Sequence, residues 1–103
     1  MVPQLRDWHQ RYGGAGLTIV GVHSPEFPWE RGADGVAAAI RELRIRYPVV
    51  LDNDFATWRR FGVWAWPTTV VVDRRGVVRH VHIGEGAYAE TEGVIRRLLA
   101  EPE

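Results

Sequence analysis

Val63-Trp64-Ala65-Trp66-Pro67-Thr68-Thr69-Val70-Val71-Val72-Asp73 is the stretch whose reading decides the fold. It joins an aromatic loop to a proline, the proline to an apolar β-branched run, and the run to the turn residues Asp73-Arg74-Arg75-Gly76. Proline cannot donate to a strand ladder, so a proline at a strand's first residue marks where pairing begins and where the preceding backbone stays free. A loop of that kind, flanked by indoles, can hold an extended partner chain. Local sequence alone favours a trans bond between Trp66 and Pro67, because only about 5–6% of X-Pro bonds in folded proteins are cis.

Working outward, Val77 to Ile83 reads as the second strand of an antiparallel hairpin, with Arg79, His80 and His82 suited to an exposed edge. A covering helix follows over residues 88–100. Glu90 and Glu92 lie early in it, Arg96 and Arg97 late, and Val94, Ile95, Leu98 and Leu99 face inward. Upstream of the aromatic loop, Phe55, Trp58 and Phe61 form one side of a short helix that Asp52, Asn53 or Asp54 can cap, with Gly62 at its exit. Residues 49–51 read as a short buried strand.

Before that strand, Val36, Ile40, Leu43 and Tyr47 make an apolar stripe on a helix capped by Asp34 and stopped by Pro48. Residues 17–22 are nearly all apolar, the pattern of a parallel strand covered on both faces. His23-Ser24-Pro25-Glu26-Phe27-Pro28-Trp29-Glu30 is a loop at that strand's C-terminal end, a common place for sites. The chain opens with a helix carrying Leu5, Trp8 and Tyr12, with Pro3 in its first turn and Gly13-Gly14 at its exit. The order α-β-α-β-α-β-β-α predicts one α/β domain with a mixed sheet and flanking helices.

Composition removes several function classes. The 103 residues suffice for a single small domain, and thirteen basic residues balance thirteen acidic ones, so no net field draws nucleic acid or anionic lipid. Every basic residue is arginine, which leaves no lysine for Schiff-base or nucleophilic chemistry. There is no cysteine, so no disulfide, thiolate zinc site or thiol redox step can reside in this chain. Apolar runs fall far short of the roughly 20 residues that span a bilayer, so no membrane insertion by this chain is expected. No cofactor is implied.

Trp64, Trp66, Pro67 and Thr68 are the candidate substrate-contacting residues, against the plain alternative that the two indoles pack in the core. Glu26, with His23, Ser24 and Trp29, sits on the loop after the first strand, where a carboxylate could move protons; turn formation by Ser24 and Pro25 is the structural alternative. His80 and His82 share one face at a spacing two zinc ligands can use, but no further ligands stand nearby in sequence. Ser24, His23 and Asp52 could be imagined as a hydrolase triad, yet no nucleophile-elbow glycines surround the serine. Asp52 and Asn53 read better as helix caps than as catalytic acids.

Residues 16–27, Tyr47-Pro48-Val49-Val50-Leu51-Asp52-Asn53, Trp66-Pro67-Thr68 and Val72-Asp73-Arg74-Arg75-Gly76 together resemble the thioredoxin-like redoxins of the TlpA and thiol-specific-antioxidant type. The resemblance is greatest to the thioredoxin-like domain of DipZ-type proteins, and it covers almost the whole chain. It implies a thioredoxin-like fold, a cis bond before Pro67, and thiol–disulfide exchange with a protein or peptide partner laid against the aromatic loop. It also implies an extracytoplasmic or membrane-tethered setting, for which this chain carries no signal.

One departure matters. In the family a strand and a Cys-x-x-Cys precede the helical proline matched by Pro3, and here both are absent. Thiol exchange needs a thiolate to attack a disulfide, so this polypeptide alone is expected to be redox-inactive. The missing strand would lie between residues 17–22 and residues 69–73 of one sheet. Leaving those edges unpaired at roughly 1–3 kcal/mol per buried group would cancel much of a domain's usual stability of about 5–15 kcal/mol. Met1 is therefore expected to be an internal residue of a longer protein, the domain being N-terminally incomplete; closure of the gap by strand movement or homodimerisation are the alternatives. The leading functional expectation is a thioredoxin-like domain of a thiol–disulfide oxidoreductase. A non-catalytic thioredoxin-fold peptide-binding module is second, and an isolated fragment with no function of its own is third.

Overall fold

Helical and strand periodicities place the elements of the computed structural model, which describes residues 1–24 and 32–102. In chain order they are α1 (Val2–Tyr12), a 3-10 turn (Gly13–Ala15), β1 (Gly21–His23), α2 (Ala33–Glu42), β2 (Val49–Leu51), α3 (Ala56–Arg60), β3 (Thr68–Val72), β4 (Val78–Ile83) and α4 (Tyr88–Ala100). The proline at the start of α1 lacks a donor the first turn cannot use anyway. The order matches the α-β-α-β-α-β-β-α expected.

The strands do not form the single mixed sheet expected of them. β1 and β2 pair in parallel, Gly21 to Val49 and His23 to Leu51, while β3 and β4 form a separate antiparallel pair. Residues 17–22 were expected to form a strand buried on both faces, but the ladder begins only at Gly21, and Val20 and Val22 are about half exposed. The physical reason is that β1 finds a partner on one edge only among the described residues. Strands 17–22 and 69–73 thus lie in different sheets, with no strand between them to hydrogen-bond both.

Three local expectations are also corrected. Gly32, not Asp34, is the N-cap of α2, and Asp34 lies in the first turn without a capping bond. That helix ends at Glu42, and the left-handed backbone of Arg44 (φ 56°) breaks it before Pro48 can. Leu43 is consequently exposed while Tyr47 is buried, so the predicted stripe does not stay on one helix. For α3 the N-cap is Phe55, also left-handed, and Asp52 reaches past it to accept the amides of Thr57 and Trp58 at 2.9 Å each.

The core is small: Trp8, Tyr47, Val94, Ile95 and Leu98 are its buried apolar side chains among the described residues. α1 and α4 are clasped where Glu92 accepts hydrogen bonds from the Trp8 indole and the Tyr12 hydroxyl at 2.9 Å each, and from Arg11 at 3.3 Å. Those donors, Tyr12 first and Trp8 next, hold the Glu92 carboxyl below the usual glutamate range. At the other end, Arg79 of β4 pairs with Glu101 and Asp73, tying the hairpin to the exit of α4.

Candidate functional site

Pro67 follows a cis peptide bond from Trp66, as the family resemblance implied and local sequence did not. The loop before it is shaped by its own side chains. Thr68, the first residue of β3, donates its hydroxyl to the Ala65 carbonyl at 2.7 Å, and the Pro67 carbonyl accepts the Gly84 amide at 2.8 Å. No hydrogen bond among the described residues uses the backbone N–H or C=O of Trp66. Trp64 beside it is 72% exposed and Trp66 45% exposed, so the alternative that both indoles are core is excluded for Trp64 and holds only in part for Trp66.

The covered part of Trp66 has two supports. Its face packs on Trp58 of α3 with ring centroids 4.2 Å apart, and Phe55 meets Trp58 edge-on at 5.9 Å. Its indole N–H donates to the backbone carbonyl of Ser24 at 2.7 Å. Ser24, just past β1, in turn donates its hydroxyl to Asp52 at 2.8 Å, and both residues are buried. Burial works to raise the Asp52 carboxyl, but the amides of Thr57 and Trp58 and the Ser24 hydroxyl outweigh it, leaving the group below the usual carboxylate range. Asp52 is therefore an ionised anchor that binds the first turn of α3 from outside the N-cap position, which Phe55 occupies.

This geometry disposes of the hydrolase triad. The Ser24 hydroxyl donates its hydrogen bond directly to Asp52, with no imidazole between them, and the carboxylate also accepts two backbone amides. His23 belongs to β1. Glu26 and Trp29 lie outside the described residues. His80 and His82 do share a face of β4, but the expected exposed edge is corrected: His80 is half-buried with its ring 3.4 Å from the Thr91 hydroxyl of α4, and His82 contacts the Glu85 carbonyl at 3.4 Å. Among the described residues no group of three His, Cys, Asp or Glu is placed to hold a metal, and no helix is long and apolar enough to cross a membrane.

Trp58 was read from the sequence only as part of the apolar side of a short helix, and nothing there marked it as the support of Trp66. The coupling of Ser24 to Trp66 had no sequence signal, since it runs through a backbone carbonyl 42 positions away.

Comparison with known proteins bears on the family and the fold. The profile of the AhpC/TSA family matches residues 1–81. The chain is 41% identical over 98 residues to the protein DipZ of Mycobacterium bovis, covering 95% of this chain but 14% of that protein. It superposes with a TM-score of 0.85 on a solved thioredoxin-like protein in its oxidised form, at 27% identity, covering 99% of this chain and 68% of the other. A thiol-disulfide isomerase from Corynebacterium glutamicum superposes with a TM-score of 0.87 at 23% identity over 98% of this chain and 70% of its own, a likeness of fold. The chain thus spans about one seventh of the curated relative it matches.

Proposed function

The chain belongs to the AhpC/TSA family as a thioredoxin-like domain related to thiol–disulfide oxidoreductases, and from that premise we propose that it is the client-holding part of such an oxidoreductase, with the reactive cysteines on polypeptide outside these residues. The observation that carries this reading is the main chain of Trp66, which has no hydrogen bond among the described residues, beside two exposed indoles. An extended client can pair with that backbone, and Trp64 and Trp66 can cover its side chains. Pro67 keeps the loop's exit from offering a competing donor. The Thr68 hydroxyl contributes by bracing the Ala65 carbonyl. Glu26, which follows β1 in sequence, completes the proposed set.

The client is a protein or peptide thiol or disulfide. Exchange requires a thiolate that attacks one client sulfur, expels the other, and is released by a second thiol. This chain supplies neither sulfur. The absence favours one second reading: a non-catalytic module that holds extended peptides on the same loop.

Reduction of insulin disulfides separates the two. The polypeptide extended upstream to a Cys-x-x-Cys is expected to reduce insulin with dithiothreitol as electron donor, and the 103-residue chain to add nothing to the dithiothreitol background. Peptide binding without any activity in the extended form supports the module instead.

A further inference from the structure

We infer that Ser24 and Asp52 are positioning residues for the aromatic loop, together fixing the orientation in which Trp66 meets a client. This rests on the peptide-holding reading of that loop for its consequence, but not for its geometry. The contacts close a ring. Asp52 binds the amides of Thr57 and Trp58, which sets the first turn of α3 and with it the Trp58 ring. Trp58 supports the face of Trp66 at 4.2 Å. The indole N–H of Trp66 is held at its edge by the Ser24 carbonyl at 2.7 Å, and the Ser24 hydroxyl returns to Asp52 at 2.8 Å. The Asp52 amide also donates to the His23 carbonyl at 2.8 Å, so the same residue fixes the backbone just before Ser24.

One buried carboxylate thus references both supports of a half-exposed indole. The ring spans the divided sheet: Ser24 follows β1 and α3, which carries Trp58, follows β2 of the parallel pair, while Trp66 leads into β3 of the antiparallel pair. A tryptophan gripped on face and edge has lost its rotamer freedom before a client arrives, which removes part of the ordering cost of binding. Neither Ser24 nor Asp52, at 7% and 4% exposure, is open to the client itself.

The test uses the 103-residue chain with Ser24→Ala, Ser24→Thr and Asp52→Asn, and reads the indole N–H exchange rate of each tryptophan by NMR, with Trp66→Phe for assignment. In the parent chain the Trp66 indole is expected to exchange at least about tenfold more slowly than that of exposed Trp64, because a hydrogen-bonded N–H exchanges only on opening. Ser24→Ala should remove most of that difference, Ser24→Thr should keep it, and the Trp8 indole, bonded to Glu92 far away in sequence, should not change and so reports that the fold is intact. Binding of S-carboxymethylated insulin B chain, followed by anisotropy of a fluorescein label, should weaken about three- to tenfold in Ser24→Ala, the scale of ordering one side chain, and recover in Ser24→Thr. Should Asp52→Asn fail to fold, Ser24→Ala decides, since it leaves both amide bonds to Asp52 in place.

Unchanged Trp66 exchange in Ser24→Ala overturns the inference. So does a freed Trp66 with unchanged peptide affinity, which would make the ring structural only. No binding of the peptide by the parent chain, with exchange changed as expected, overturns the peptide-holding reading while the clamp on Trp66 stands.

Discussion

Gly21 shows how a single position is decided by space. A Cβ there would stand 3.2 Å from the Tyr47 ring and 3.3 Å from the Val49 side chain, and both neighbours are fixed, Tyr47 by burial and Val49 by its place in the parallel ladder. Gly21→Ala is therefore expected to destabilise by about 1–3 kcal/mol, the usual cost of overpacking, measured by urea unfolding. Nothing in a run of apolar residues marks that crowding, which needs β2 to be laid beside β1. Asp52 offers a residue-scale prediction of another kind. Its carboxyl is held below its ordinary value of 3.8 despite burial. A group with a lowered folded pKa stabilises fully above its unfolded value and loses that contribution as pH falls through the folded one. Acid titration followed by circular dichroism should therefore show stability draining away below about pH 4, and Asp52→Asn should flatten that part of the profile.

At the scale of elements, α4 behaves as its sequence foretells. The apolar positions Val94, Ile95 and Leu98 are buried, and Thr91 continues the same stripe. Ile95→Ala should cost about 2–5 kcal/mol by thermal or urea unfolding, as for other buried isoleucines. The hairpin is different. In β4 the half-buried positions are His80 and His82, while Val78, Val81 and Ile83 are exposed. Alternation along a strand shows that two faces exist, and the apolar one is ordinarily taken to point inward. Here α4 covers His80 through Thr91, and Val81 and Ile83 on the other face have no cover among the described residues.

The exposed valine face matters for the molecule as a whole. Val22, Val50 and Leu51 of the parallel pair, and Val20 just before it, are also 43–50% exposed, so both sheets present apolar surface. The radius of gyration is 14.0 Å, against about 13 Å for a compact chain of this length. A strand laid beside the edges left unpaired among the described residues would cover that surface. The chain extended upstream should then bind far less of the dye ANS and melt at a higher temperature than the 103-residue form. Equal ANS fluorescence in the two would count against completion in cis, and a dimer of the shorter chain seen by sedimentation would point to completion by a second copy.

From the residues alone came the number and order of the elements, the turn at Asp73–Gly76, the inward face of α4, the family, and the absence of any sulfur for exchange. The elements, turn and helix face rest on local periodicity and on proline and glycine geometry, the missing sulfur on composition, and the family on its resemblance in motifs; none of these needs a distant neighbour. Only the tertiary structure decided that the strands form two pairs instead of one sheet, that histidines rather than valines of β4 face α4, and that Asp52 holds Trp66 through Ser24. Each of these depends on which segments meet across the fold, and a backbone carbonyl or an unfilled strand edge leaves no mark on the identity of the side chains around it.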